Sequence, residues 1–269
     1  MILAAHAIAI SCYLGAVVIA AVPFARPVRA PVTSVALALA AGLLAHATGL
    51  AALARDGGAT AVTGLGPSLS FAGFAVAAAL LVVELLAREV TLTLAAAPLA
   101  AVTTAAANIA GLRPMLDAQG GRALWLTLHI LIAFAGLAAY ATAAAAGAMY
   151  LVAHRDLKSR RFGAVFRFFP PLATLDRVNH VSLVAAFLVL TLGIALAGSY
   201  SLAYRAIVIP QVVWGMAAWM ALALLTLGRL RGSLRARKAA VVSSVSFMIV
   251  LALYVVVRLA TTTERGQFL

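Results

Sequence analysis

Acidic side chains and thiols are what this chain has least of. Only seven of its 269 residues are Asp or Glu, and Cys12 is its one cysteine. The paired carboxylates of a hydrolase are missing, as are a Ser-His-Asp set and a phosphate-cradling glycine loop, so no enzyme activity is expected. A single thiol allows neither a disulfide within the chain nor a CxxC pair. Charge of either sign is sparse: 10% of residues are charged and 65% hydrophobic. A soluble domain carries about 25% charged and about 45–50% apolar residues. A soluble globular enzyme, a disordered tail and a disulfide-built secreted module are all excluded.

What the chain does contain is long apolar runs. Eight can be separated, near residues 2–23, 32–54, 69–87, 90–111, 123–153, 178–198, 207–228 and 239–259. A membrane-spanning helix needs roughly 20 apolar residues, so eight spans use about 160 and leave only short loops. The expected fold is all-α: a polytopic integral membrane protein of about eight transmembrane helices in one bundle, with residues 1–269 as a single transmembrane domain. The first run has no basic residues before it, while Arg26 and Arg29 follow it, which reads as a retained span rather than a signal peptide.

The net charge of +13 is distributed unevenly. If the N-terminus lies outside, the odd-numbered connections face the cytoplasm. They carry Arg26, Arg29 and Arg88, six basic residues from Arg155 to Arg177, and five from Arg229 to Lys238. Only six basic residues remain for the other side. Basic residues accumulate in cytoplasmic loops, so both termini are expected outside the cytoplasm. The longest connection, 154–177, is a basic loop with the interfacial aromatic segment Phe162–Phe169, ending at Pro170-Pro171. Its mixture of aromatics and arginines suits an anionic lipid surface, so the bilayer, not nucleic acid, is the expected partner.

Ionisable residues within a bilayer cost about 2.5–3.5 kcal/mol or more unless paired or liganded. Here they are His6, His46, Glu84, His129 and His180. Glu84 precedes Arg88 by one helical turn, the spacing of an interfacial ion pair. The histidines fall in layers. His46 lies about 12 Å short of the outer end of span two, and His129 about 9 Å below the same surface in span five. His6 lies nearer that surface, and His180 belongs to the opposite layer. Gly42 and Gly49 flank His46 on its face, and Ala133, Gly136, Tyr140, Ala144 and Gly147 follow His129 on its own. Small residues permit close helix packing, and they equally leave room for a flat macrocycle. Three readings stay open: packing histidines, a haem held by His46 and His129, and zinc or copper on His6, His46 and His129. Arg55, Arg113 and Arg122 stand above this layer as cations for haem propionates. The chain lacks the CxxCH motif of covalent c-type haem attachment.

At these residues the chain resembles the cytochrome c assembly protein family, in particular its HemX-like and CcsA-like branch of polytopic haem-handling proteins. The matching stretch runs from Leu128-His129-Ile130 through the Tyr140 helix. It continues through Pro170-Pro171-Leu172, Leu175-Asp176-Arg177 and His180 to Leu190-Thr191-Leu192-Gly193. Trp214 to Gly232 and the Ala45-His46 pair add to it, and the resemblance is stronger over 120–260. It implies membrane haem binding or delivery for cytochrome c maturation, with haem b bound in a bacterial inner (cytoplasmic) membrane. His46 and His129 match intramembrane histidines of the family and become the expected axial ligands of the haem iron. His180 matches a third, in the HemX-like branch, and Arg113 and Arg122 are candidate propionate partners. His6 has no counterpart. The family's external tryptophan-rich segment ending in Trp-Asp is replaced here by Ser199-Tyr200-Ser201-Leu202-Ala203-Tyr204-Arg205-Ala206. The expected role is therefore an accessory or haem-trafficking factor rather than a full haem lyase. Its partners would be haem and other cytochrome c maturation or respiratory-complex proteins. The rival readings are a non-catalytic structural subunit of a larger membrane complex, or a small-molecule transporter with Pro98 and Pro210 breaking its helices.

Overall fold

The computed structural model describes residues 1–26, 31–58, 61–62, 64–87, 90–112, 121–159, 169–204 and 209–265. Its helices are α1 (Ile2–Ala25), α2 (Val32–Gly57), α3 (Leu65–Ala87), α4 (Thr93–Ala110), α5 (Gly121–Lys158), α6 (Leu172–Tyr204), α7 (Ile209–Leu230) and α8 (Ala236–Arg265). All eight are long and apolar enough to cross a membrane, and the described residues contain no strand. The chain is a multi-pass, all-α membrane protein, as its composition requires.

Helix α5 runs through His154, Arg155 and Asp156 to Lys158, beyond the end of its apolar run. Helix α6 begins at Leu172, six residues before its apolar run. Charged residues end an apolar pattern without ending a helix, because a backbone entering the interface still satisfies its polar groups best within the helix. Pro170-Pro171 starts α6: the Pro171 carbonyl accepts the N–H groups of Thr174 at 2.9 Å and Leu175 at 3.2 Å. Asp176 then pairs with Arg229 Nη2 of α7 at 2.8 Å, with the arginine side chain only 9% exposed. Replacing Asp176 with Asn is expected to lower the thermal midpoint by the equivalent of about 1 kcal/mol, read by circular dichroism in detergent. An unchanged midpoint would mean that the pair adds no net stability.

Pro98 sits inside α4 and Pro210 in the first turn of α7, and both helices continue without interruption. A proline in the first turn removes no N–H that the helix needs. The discontinuous midplane helices of many transporters are therefore not created at these two residues. Between α7 and α8 the chain reverses in five residues. Gly232 takes a φ of +71° there, a backbone conformation that glycine alone adopts without a steric penalty.

Packing arranges the helices in two rings of four. In the first, α1 lies on α2, α2 on α3, α3 on α4, and α4 returns to α1. In the second, α5 lies on α6, α6 on α7, α7 on α8, and α8 returns to α5. Contact between α3 and α5 joins them. Tyr13, Leu39, Leu80 and Ala97 are buried in the first ring. Tyr140, Leu183, Leu222 and Phe247 are buried in the second. Glycines bring the backbones close. A Cβ on Gly136 would stand 3.1 Å from Leu190 N, and one on Gly147 2.9 Å from Ala240 O. Lipid tails are as apolar as leucine, so such close approach is what holds helices together in a bilayer.

Candidate functional site

His6 and Tyr13 are two turns apart on one face of α1, and Gly42, His46 and Gly49 share a face of α2. The two faces meet. A Cβ on Gly42 would come within 2.7 Å of Tyr13 Cε1, and one on Gly49 within 3.0 Å of His6 Cδ2. The space that the two glycines open beside His46 is therefore filled by the rings of Tyr13 and His6.

These rings belong to a hydrogen-bonded chain drawn from four helices. Asn108 Oδ1 of α4 can only accept, so His6 Nδ1–H donates to it, at 2.7 Å. His6 Nε2 then accepts from the Ser70 hydroxyl of α3 at 3.1 Å. Ser70 Oγ in turn accepts from His46 Nε2–H at 3.0 Å. His46 Nδ1, left with its lone pair, accepts from the Tyr13 hydroxyl at 3.1 Å. Every donor points the same way, from Tyr13 towards Asn108. His6, Tyr13, His46 and Ser70 are all fully buried. The imidazoles of His6 and His46 meet edge to face, with centroids 4.9 Å apart.

His129 is placed differently. It is half-buried on α5, and its Nδ1–H donates to the Gly193 carbonyl of α6 at 2.9 Å. That bond fixes the tautomer and leaves the Nε2 lone pair without a partner among the described residues. Trp125, one turn earlier, donates its indole N–H to Leu196 O at 3.0 Å. Both bonds pin the N-terminal part of α5 to α6. His46 and His129 are thus tied to different helices, His46 to α1 and α3 and His129 to α6. A run of phenylalanines lies between their elements: Phe74 is 5.7 Å from the His46 ring, Phe71 is 6.1 Å from Phe74, and Phe134 of α5 is 6.5 Å from Phe71. Among the described residues no group of three or more His, Cys, Asp or Glu could hold a metal ion. The three-histidine metal site is therefore not assembled.

Arg122 lies two turns before His129 on the same face of α5, about 10 Å along the axis. Its guanidinium stacks on the Tyr204 ring of α6, 4.8 Å from the centroid. Arg113, the other expected propionate partner, lies outside the described residues, as does Arg88. Glu84 is fully buried and accepts a hydrogen bond from the Thr93 hydroxyl through Oε1. Its Oε2 has no partner among the described residues. His180 is half-buried on α6, and its Nδ1 is buried without a partner among the described residues.

Ser70, Asn108 and Tyr13 escaped a reading confined to ionisable groups. Their signal was present: an asparagine and a serine within apolar spans need partners as much as a histidine does.

Eight helices long and apolar enough to span a membrane, with His6 and His46 buried between the first four, define a polytopic membrane protein. A family model described as "Cytochrome C assembly protein" matches residues 8–263, and the chain belongs to that family. The match extends across all eight helices, and the chain's role lies in cytochrome c biogenesis. No curated protein and no solved structure matches the chain.

Proposed function

We propose that this chain binds b-type haem within the bacterial inner membrane and acts as a HemX-like accessory or trafficking factor in cytochrome c assembly. It performs no covalent chemistry, and both its termini lie outside the cytoplasm. One observation carries the reading: His129 presents an Nε2 that has no partner among the described residues, while Gly193 O holds its Nδ1–H. An imidazole whose far nitrogen donates to a carbonyl is oriented, and made more basic, for ligation of iron. Haem is the cargo here. His129 ligates it, Gly193 positions the ring, and Arg122 leaves Tyr204 to meet a propionate two turns above. Arg113 belongs to the same propionate set. His46 has both ring nitrogens engaged, so it joins the iron only when Ser70 releases Nε2. His180 serves the opposite layer. Membership of the cytochrome c assembly family supports haem as the ligand.

The test is the absorption spectrum of the detergent-purified protein loaded with haem, oxidised and then reduced. The expected result is a Soret band with reduced α and β bands, lost in His129→Ala. A wild-type protein that stays colourless after haem addition, or a His129→Ala protein with an unchanged spectrum, would overturn the assignment.

A further inference from the structure

At the end of the bundle opposite His129, α5 and α8 frame an open cavity of about 520 Å³ lined by Leu151, His154, Arg155, Lys158, Ser159 and Arg237. The packing dictates its make-up. Gly147 lets α5 approach α8 closely at Ala240, Ser243 and Ser244. One turn further out on α8, Arg237 therefore stands over the stripe that α5 continues through Leu151, His154 and Lys158. The imidazole of His154 is stacked on Tyr150, with ring centroids 5.9 Å apart and planes 9° apart. The lining thus has three permanent cations, a hydroxyl donor and an ordered imidazole over an apolar floor. Among the described residues no carboxylate lines it. Asp156 faces the smaller adjoining cavity with Arg155, Ser159 and Val152. The first turn of α8 carries no acidic residue, so its free N–H groups add to the positive field.

We infer that this cleft binds the phosphate headgroup of an acidic phospholipid, one with two phosphates more tightly than one with a single phosphate. Basic pockets between transmembrane helices on the cytoplasmic side suit such headgroups. Leu151 meets the glycerol backbone, where a free phosphate would gain nothing. The choice of a lipid from the inner leaflet rests on the orientation proposed above, while the anion chemistry does not rest on haem. A general basic surface would attract acidic lipids through all its charges alike. This cleft does so through Arg155, Lys158 and Arg237.

The experiment compares the full chain, in detergent, with two triple variants that lose the same charge. One is Arg155→Gln, Lys158→Gln, Arg237→Gln, in the cleft. The other is Arg231→Gln, Arg235→Gln, Lys238→Gln, outside it. Titration with cardiolipin, phosphatidylglycerol and phosphatidylcholine is followed by native mass spectrometry, and thermal melting confirms folding. Cardiolipin affinity is expected to fall about a hundredfold in the cleft variant and little in the other. Equal losses in both variants, or no preference for acidic lipid over phosphatidylcholine, would overturn the proposal. Displacement of bound lipid by millimolar inorganic phosphate would make the cleft a site for free phosphate and overturn the lipid assignment. A cleft variant that fails to fold is replaced by the single change Arg237→Gln, for which about a fivefold loss is expected.

Discussion

Gly66→Ala is expected to lower the thermal midpoint of the protein more than any other single added methyl group. A Cβ at Gly66 would overlap the Gly111 carbonyl and stand 3.0 Å from Ala107 O. Both obstacles are backbone atoms. They mark where the first turn of α3 lies against the end of α4, and neither can rotate away. Overpacking of this kind costs about 3 kcal/mol. Gly73→Ala should come next: its Cβ would meet Thr104 Oγ1 at 2.6 Å, which can turn aside, and Ala100 O at 2.9 Å, which cannot. Gly15→Ala is the control, since nothing lies within 4 Å of a Cβ there. Its helix should gain up to about 1 kcal/mol from the better helix former. The measurement is the midpoint of thermal unfolding in one detergent for all three variants. If Gly66→Ala and Gly15→Ala melted together, the contact between the start of α3 and the end of α4 would not exist in solution.

The second large effect separates the two histidines that were expected to share the iron. His46→Leu removes the partner of the Tyr13 hydroxyl and one of the two partners of Ser70, deep inside the first ring. An orphaned buried hydroxyl costs about 1–3 kcal/mol, and two lost hydrogen bonds in a membrane average about 0.6 kcal/mol each. The midpoint should therefore fall by the equivalent of about 2–4 kcal/mol. Haem-loaded His46→Leu should nevertheless keep its Soret band when measured below its midpoint. His129→Ala should do the reverse, losing the band while melting within about 1 kcal/mol of wild type, since it gives up one hydrogen bond, to Gly193 O, from a half-buried ring. Loss of the band in both variants with no change in stability would return His46 to the iron.

The number and placement of the helices were legible in the sequence because each apolar run matches the thickness of a bilayer. Their ends were not. The stretch from Leu172 to Arg177 looks like loop by composition, yet it is the first part of α6, where Asp176 is neutralised by an arginine 53 residues away. Apolarity measures the fit to lipid, whereas a helix end is set by caps and by partners on other helices. The site divides in the same way. Depth can be counted at 1.5 Å per residue, which puts His6 and His46 near one level, and the structure does join those two through Ser70. Which histidine faces which is a matter of rotation about each helix axis, and only packing fixes that. Gly42 and Gly49 show the limit most plainly. A glycine declares that something comes close, and here it is Tyr13 and His6.

The chain of hydrogen bonds from Tyr13 to Asn108 has one further consequence. Tyr13 only gives and Asn108 Oδ1 only receives, while His46, Ser70 and His6 between them do both, so no link can be turned round alone without leaving two hydrogens facing each other or two lone pairs. The four bonds must invert together or stay as they are, and inversion also requires Asn108 to exchange its amide ends. Such a series is a two-position lock whose members belong to α1, α2, α3 and α4. It holds the first four helices in a single register, and a shear of any one of them would break the series at once rather than by degrees.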